Sequence, residues 1–256
     1  MMYMYWVAFS SIVVKEVRRF LRIWPQTLLP PAITMVLYFV IFGNLIGSRI
    51  GEMGGFDYMQ FIVPGLIMMS VITNSYGNVS SSFFSNKFQR SIEELLVAPV
   101  PNWIILSGFA IGGVARGLAC GIIVLCLSLF FTHLHIHNIL ITFSVILMTA
   151  VVFSIAGLIN GLYANSFDDV SIIPTFILTP LTYLGGVFYS IGLLPEFWQW
   201  VSKLNPILYM VNTFRYGIIG VSDIPIGLAF SMLLVFIVAL SSWALFLLNR
   251  GRGLRS

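Results

Sequence analysis

The sequence has very little charge for its length. Of its 256 residues, 9% are Asp, Glu, Lys or Arg, whereas a soluble domain carries about 25%. Hydrophobic side chains make up 59% of the chain, and apolar runs of about 20 residues recur along it. In lipid such runs must be helical, because each backbone polar group needs a partner within its segment. The composition excludes a second, soluble domain and predicts an all-α integral membrane protein.

The sequence also lacks the motifs of ATP chemistry and of disulfide bonding. A phosphate-binding loop needs a Gly-rich turn that ends in Lys and then Ser or Thr, but Lys15, Lys87 and Lys203 are followed by Glu, Phe and Leu. No nucleophile and base stand together either, so we predict no catalytic residue and no cofactor bound by this chain. Cys120 and Cys126 lie in one predicted helix, about 9 Å apart along its axis, and should not pair.

The apolar runs and the polar breaks between them predict six membrane-spanning helices. The predicted spans are 28–47, 58–84, 103–131, 138–163, 170–189 and 226–248. Residues 190–222 are too broken to cross fully and predict a re-entrant or interfacial hairpin before the last span. Residues 28–248 thus predict a six-span bundle within one membrane domain, 1–256.

An amphipathic helix is predicted over residues 4–24, ahead of the first span, and Pro25 is expected to end it. Apolar and basic side chains recur at helical spacing on opposite faces. The apolar face contains Trp6, Phe9, Val13, Val17, Phe20 and Trp24, and the basic face contains Lys15, Arg18, Arg19 and Arg22. We interpret this segment as a helix lying in the membrane interface; the alternative is an ordinary amphipathic surface helix.

The distribution of Lys and Arg predicts the orientation of the spans. An even number of spans puts both termini on one side, and the positive-inside rule selects that side. With both termini in the cytoplasm, the basic residues of the first helix, of the loop after the second span and of the tail 249–256 are all cytoplasmic. Arg49, Lys203 and Arg215 are then the basic residues outside, with Arg116 within a span.

The polar segment 86–101 predicts a short cytoplasmic helix between the second and third spans. Ser91 and Glu94 fit a capping box, in which each side chain satisfies a free amide of the first helical turn. Pro99 and Pro101 then end the helix. A short rigid rod held between two spans suits contact with a partner, although a plain structured loop would give the same pattern.

Polar side chains form one stripe on each of two predicted spans. At spacings of three or four they share one helical face. The stripe on the second span contains Ser70, Asn74, Gly77, Ser81 and Ser85, and that on the fifth contains Ser171, Thr175, Thr179, Thr182, Gly186 and Tyr189. Such stripes must avoid lipid, either by hydrogen-bonded helix packing or by lining a polar path.

Arg116 stands alone as a charge inside the third span. A charge at mid-membrane costs about 2.5–3.5 kcal/mol, so Arg116 should face protein or water, or else snorkel to the nearer interface. Gly113, Gly117 and Gly121 recur around it at every fourth residue and predict close helix packing.

Two further polar groups have simpler interpretations. His133, His135 and His137 alternate in a loop without the spacing of a metal site, and no metal site is predicted. Asp168 and Asp169 have no partner for acid–base chemistry, and we expect them to cap the start of the fifth span.

The string LTPLTYLGGVFYSIGLLPEFWQWVSKLNPILYMVNTFR, residues 178–215, resembles the signature region of type-2 ABC-transporter permeases. Spaced apolar and small residues there lead to proline, an aromatic residue and then Arg. The matching positions are Leu178, Leu181, Leu184, Gly185, Val187, Leu194, Pro195, Pro206, Ile207, Tyr209 and Arg215.

The resemblance implies a half-transporter of the bacterial cytoplasmic membrane that dimerises with a second copy, binds a separate ATPase and exports an unknown substrate. ATP and Mg would then be held by the ATPase. The helix near 88–98 would dock on that subunit through Arg90, Ser91, Glu93, Glu94 and Leu95. The candidates for the translocation path are Ser70, Asn74, Ser81, Arg116, Thr175, Thr179 and Thr182.

Other classes of membrane protein are alternatives to this interpretation. An autonomous secondary transporter would carry ion-binding carboxylates at mid-membrane, which the predicted spans do not contain. A membrane enzyme or assembly scaffold is a second alternative. We expect no nucleic-acid partner, because the basic residues lie beside the spans and form no separate domain.

Overall fold

The computed structural model describes residues 2–251. Within that range it leaves aside the side chains of Met2, Asn44, Glu93 and Leu96. Over the described residues the chain is almost entirely helical, and its one pair of strands is a two-residue hairpin, β1 (Glu52–Met53) with β2 (Phe56–Asp57). The predicted all-helical class is therefore confirmed, and the predicted tail 249–256 lies outside the described residues beyond Gly251.

Five helical stretches among the described residues are long and apolar enough to cross a membrane. The first is built from α2 (Trp24–Thr27), α3 (Leu29–Tyr38), a π-helical segment (Phe39–Ile46) and α4 (Gly47–Ile50). The other four are α5 (Tyr58–Phe88), α7 (Asn102–Ser128), α8 (Ile139–Tyr163) and α13 (Ile226–Arg250). These five correspond to the predicted first, second, third, fourth and sixth spans, with ends shifted by a few residues.

The predicted fifth span is a single helical run built from three parts. These are α9 (Phe167–Ile173), a π-helical segment (Pro174–Leu178) and α10 (Thr179–Leu184). Pro174 and Pro180 interrupt the regular hydrogen-bond ladder, as proline must. The run measures about 27 Å but is not among the five apolar stretches, so a sixth crossing stays a prediction.

Residues 190–222 form a broken helical hairpin. A 3-10 turn (Ile191–Leu193) leads into α11 (Glu196–Lys203) and then α12 (Pro206–Ile219). Asn205 caps α12 by accepting a hydrogen bond from the Ile207 amide at 3.0 Å. At about 12 and 21 Å, α11 and α12 are each shorter than the hydrocarbon core of about 30 Å. Their depth in the membrane stays a prediction.

Helix α5 is the centre of the bundle and packs against α7, α8 and α12. Its contact with α7 depends on the glycine stripe. A Cβ at Gly117 would collide with the Ser75 hydroxyl, and one at Gly121 would lie 2.7 Å from Val71. The predicted packing role of these glycines is therefore confirmed.

The bundle has two distinct ends. At the hairpin end, α12 meets the start of α8, where the Asn138 amide donates to Gly217 O at 2.8 Å. At the other end, Asn102 at the start of α7 donates to Asn249 near the end of α13 at 2.7 Å. A short helix between α5 and α7, α6 (Ser91–Val97), lies at this second end, which we call the α6 end.

The first helix differs from its prediction at both its end and its faces. Helix α1 (Met2–Arg22) ends before Pro25, with Ile23 outside helical geometry. Pro25 lies instead in the first turn of α2, where its missing N–H costs nothing. The basic face is not wholly exposed either, because Arg19 bonds inward to α5.

The predicted capping box of α6 is wrong. Arg90 is the N-cap residue, in left-handed geometry with φ 59°, and the cap has no side-chain hydrogen bond. Ser91 already lies inside the helix and donates back to Asn86 Oδ1 at 3.0 Å. The reason is that α5 continues to Phe88, so the chain must reverse within Gln89 and Arg90 before α6 begins.

Candidate functional site

Four polar residues recur at every fourth position on one face of α5. They are Asn74, Asn78, Ser82 and Asn86, and each bonds to a charged side chain from α1 or α7. Because a spacing of four keeps residues on one helical face, these pairs form a continuous column. We call this column the polar ladder and its four pairs the rungs.

The first rung joins Arg116 of α7 to Asn74. Arg116 Nη2 donates to Asn74 Oδ1 and to the backbone oxygen of Thr27, both at 3.3 Å. Asn74 Nδ2 in turn donates to Ser70 O at 2.9 Å. Arg116 therefore connects α7, α5 and the end of α2 at a single point.

The second and third rungs surround a buried carboxylate. Arg19 Nη2 donates to Asn78 Oδ1 at 2.8 Å, and Ser82 Oγ donates to Glu16 Oε1 at 2.8 Å. Arg19 Nε lies 3.5 Å from Glu16 Oε2, and the Glu16 side chain is fully buried. An isolated buried carboxylate would be strongly destabilising, and the contacts with Ser82 and Arg19 reduce that cost.

The fourth rung connects α1 to the α6 segment. Lys15 Nζ donates to Asn86 Oδ1 at 2.7 Å, and that oxygen also accepts from Ser91 at the start of α6. The next residue, Lys87, donates to two carbonyls at the end of α8, Leu162 O at 2.9 Å and the C-cap residue Ala164 O at 2.8 Å. The segment between α5 and α6 is thus held by α1 on one side and by α8 on the other.

The sequence of α1 explains why this helix docks on α5 and α7. Ile12, Glu16 and Phe20 recur at spacings of four and are all buried, so they face the bundle together. Opposite them, Gly108 and Gly112 of α7 leave room for Ile12 and Glu16, since a Cβ on either glycine would clash.

The structure separates the residues of the predicted second-span stripe. Ser70 and Asn74 are buried, whereas Gly77 and Ser81 are partly exposed. The exposed residue on this face is Thr73, which the sequence analysis did not include. Whether this face lines a path stays a prediction.

The sequence analysis also missed Glu16, Arg19, Asn78 and Ser82 as a group. The available signal was the repeat of Asn or Ser at every fourth residue from Asn74 to Asn86. The partners on α1 carried no comparable signal, because Lys15 and Arg19 fitted the basic face of an interfacial helix and Glu16 fitted neither face.

The predicted fifth-span stripe lies on a poorly covered helix. Ser171, Thr175 and Thr179 are exposed, whereas Thr182 is 2% exposed and donates to Leu178 O at 2.7 Å. The exposed residues give this run a polar face without a covering helix in the protomer. Their role in a path stays a prediction.

Three of the predicted coupling residues, Ser91, Glu94 and Leu95, line one groove. Arg90 and Glu94 are exposed and Leu95 is partly exposed. The backbone of Glu93 lies within α6, and its side chain is outside the described set. A groove of about 260 Å³ separates α6 from α1, lined by Ser11, Ile12, Lys15, Ser91, Glu94, Leu95 and Phe109.

Arg215 holds the hairpin against the bundle. Its side chain is buried, with Nε donating to Phe61 O at 3.2 Å and Nη2 donating to Gly186 O at 2.6 Å. The guanidinium also lies 3.9 Å from the centre of the Phe61 ring. Gly186 has φ 71°, which only glycine adopts without strain. The last residues of the signature string therefore fix its turn against α5.

The predicted aspartate cap is confirmed in detail for one residue. Ser166 is the N-cap of α9, and Asp169 forms a capping box with it. The Asn165 amide donates to Asp169 at 2.9 Å, and this bond and those from Ser166 hold the pKa of Asp169 below its usual value. Asp168 lies in the same first turn.

Neither the histidine loop nor the cysteines form a cluster. Among the described residues, no group of three His, Cys, Asp or Glu side chains is placed to hold a metal ion. Cys120 and Cys126 are both free, as their spacing predicted.

Comparison with known proteins decides the class. The sequence profile of the ABC-2 type transporter family matches residues 7–219, which contain the polar ladder, α6 and the signature string. The chain belongs to the ABC-2 type transporter family. The predicted resemblance is thereby confirmed, and the chain is a permease subunit, not itself an enzyme.

Individual relatives were also found. The chain is 63% identical over 258 residues to the inner membrane transport permease YadH of Escherichia coli (strain K12), covering 100% of both sequences. It is 25% identical over 206 residues to nodulation protein J of Rhizobium meliloti (strain 1021), covering 79% of this chain and 78% of that one. The chain is thus a multi-pass inner-membrane ABC-2 permease.

Proposed function

We propose that this permease works as a homodimer, spans the membrane six times with both termini in the cytoplasm, and couples to a separate ATPase to drive export. The observation that carries the proposal is the position of α6. It is a short, partly exposed helix on the loop between the second and third spans, at the end of the bundle opposite the hairpin.

The sixth crossing is supported by the contacts of the α9–α10 run. Its first residue, Phe167, packs on Phe84 at the α6 end with ring centres 4.9 Å apart. Its last residues lead to Gly185, which lies against Ile207 of α12 at the hairpin end. The run therefore extends between the two ends, which supports a crossing despite its prolines. The short hairpin helices support a re-entrant or interfacial position outside the cytoplasm.

The ladder supports a mechanical route from the ATPase to the spans. A push on α6 would reach Asn86 through Ser91, and from there Lys15 of α1. The end of α5 also contacts α8, because Lys87 donates to Leu162 O and Ala164 O. Ala164 lies in the turn that leads to α9, so movement of Lys87 would also reach the start of α9. ATP-driven movement of α6 would thereby displace α1, α5 and the fifth-span run together.

The substrate path is proposed between two protomers. The exposed polar residues Thr73, Thr175 and Thr179 and the partly exposed Ser81 lack a cover within the protomer. The hydroxyls of Thr73, Ser81 and Thr179 donate to backbone oxygens of their own helices, and we propose a second copy as the cover for both faces. Such a dimer would enclose a polar route between the two copies of α5 and of the fifth-span run.

Co-purification tests the coupling. We expect the affinity-tagged chain to bring down from native membranes an ATPase with a phosphate-binding loop. The double charge reversal Glu93→Lys with Glu94→Lys should reduce its recovery, because a partner's basic groove would meet like charge. A matched control is Glu52→Lys with Glu196→Lys, both exposed at the hairpin end, which should leave recovery unchanged. Unchanged recovery with the α6 variant at moderate salt would contradict docking at α6.

A further inference from the structure

The charges on the polar ladder do not balance. Lys15, Arg19 and Arg116 supply three cationic side chains, and Glu16 supplies the one carboxylate bonded to the ladder. Within the described range the ion pair of this chain is Arg19 with Glu16. Lys15 is exposed and lies at the end of the ladder nearest α6, where water can solvate it. Arg116, at the opposite end, is only partly exposed, and among the described residues no carboxylate is bonded to it.

Arg116 also has unused hydrogen-bonding capacity. A guanidinium presents five N–H donors in a planar fork. The two bonds of Arg116 both come from Nη2, and at 3.3 Å both are longer than the usual 2.9–3.0 Å. Nε is buried without a partner. Thr27 and Asn74 therefore position the group without satisfying it.

The depth of Arg116 along α7 makes its unpaired N–H donors costly. Arg116 lies about 21 Å along α7 from Asn102, near the middle of the helix. At that depth a charge is costly unless a partner neutralises it. A phosphate or carboxylate matches the guanidinium fork and forms charge-assisted bonds with it.

One member of the first rung reaches the protein surface. Arg116 is partly exposed, whereas Asn74 is buried beneath it. On α7, Ala115 and Ala119 beside Arg116 are partly exposed and apolar. A ligand at this point would thus meet one cationic fork within an apolar wall.

We infer that Arg116 and Asn74 form a binding site for the phosphate or carboxylate group of an amphiphilic anion. The ligand is either an anionic lipid whose headgroup enters between the helices or the transported substrate itself. The second source rests on the proposed transport function, and the first does not. Arg116 would bind the anion, and Asn74 and Thr27 O would orient the guanidinium.

Binding to the full-length chain alone, in phosphatidylcholine nanodiscs, tests the site. The probes are dihexanoylphosphatidylglycerol, dihexanoylphosphatidylcholine and inorganic phosphate. The binding of each is measured by calorimetric titration. We expect the anionic dihexanoylphosphatidylglycerol to bind more tightly than the zwitterionic dihexanoylphosphatidylcholine, which has the same chain length. Arg116→Gln should weaken that binding by at least about tenfold, as expected for the loss of a charge-assisted hydrogen bond. Arg18→Gln, an exposed charge on α1, should change it less than twofold.

The outcomes separate the sources and the alternatives. Binding of inorganic phosphate that needs Arg116 supports a site for the anionic group alone, open to a polar solute. Binding of dihexanoylphosphatidylglycerol without binding of inorganic phosphate supports a lipid-like ligand. Equal binding by wild type and Arg116→Gln would overturn the site, leaving Arg116 as a structural tether of Thr27. Should Arg116→Gln fail to fold, Arg116→Met, which keeps a long side chain without the charge, replaces it, and unchanged binding by that variant would equally overturn the site. Because no ATPase is present, failure of this test is independent of ATPase coupling.

Discussion

Replacing Glu16 with Ala should destabilise the protein far more than the same change at an exposed glutamate. Glu16 is fully buried, accepts from Ser82 at 2.8 Å and pairs with Arg19 at 3.5 Å. Removing one partner of a buried ion pair costs about 3–5 kcal/mol. The Arg19 side chain is 30% exposed, so water recovers part of this loss. We therefore expect a loss of about 2–4 kcal/mol.

The assay is thermal unfolding of the purified chain in nanodiscs, with Glu94→Ala of α6 as the matched control. For a chain of this size, a loss of 1 kcal/mol lowers Tm by about 2–4 °C, so a loss of about 2–4 kcal/mol in Glu16→Ala should lower Tm by about 4–16 °C. Glu94 is exposed, and its replacement should change stability by about 0.5 kcal/mol or less. Glu16→Gln should fall between the two, because it keeps an acceptor for Ser82 but loses the charge.

A double-mutant cycle identifies the rung responsible. If Glu16 acts through Ser82, Glu16→Ala and Ser82→Ala should be non-additive, because both remove the same bond. Glu16→Ala with a Tm equal to that of Glu94→Ala would refute the reasoning, since Glu16 could then not be a buried partner of Arg19. Full additivity with Ser82→Ala would refute the bond assignment alone.

The remaining predictions concern packing, orientation and the hairpin. Gly117→Val should destabilise the chain by about 1–3 kcal/mol or more, because a side chain there would collide with α5. As a control, Gly227→Val places its side chain in open space and should leave Tm within about 2 °C of wild type. Equal effects of the two variants would contradict the packing of α5 on α7. In intact cells, with the exposed native Cys126 first replaced by Ser, His135→Cys should react with a membrane-impermeant thiol reagent and Ser91→Cys should not. Labelling of Ser91→Cys would reverse the proposed topology. Arg215→Met should expose the hairpin to limited proteolysis, since it removes the bonds to two buried carbonyls, worth about 1.5–3 kcal/mol each; wild-type protease resistance would argue against this anchor.

The helical class and most span boundaries followed from the sequence, because apolar run length depends on local composition. α8, expected over 138–163, is observed at Ile139–Tyr163. The packing role of the glycine stripe of α7 could also be predicted from local sequence, because close helix contact requires only that these positions lack a side chain. The fifth span was harder, because its prolines and its acidic first turn lower its hydropathy while helical geometry continues through a π-helical segment.

Pairings across helices could not be read from one chain. Glu16 stands among Lys and Arg on α1, and its burial depends on Gly112 of α7 and Ser82 of α5, which lie far away in sequence. Likewise, Ser91 matched a capping box until the turn at Arg90 placed it inside α6. Both results depend on tertiary contacts, which outweigh local pattern.

The central claim is that α6 is the surface on which a separate ATPase docks. A photo-crosslinking amino acid at position 97 tests it directly, because Val97 is 86% exposed at the end of α6. The matched control is position 228, where Leu228 is 53% exposed near the hairpin end. After irradiation of native membranes, we predict one crosslinked product at position 97, containing a phosphate-loop ATPase and absent from position 228. Crosslinking of the ATPase at position 228 but not at 97 would contradict the account.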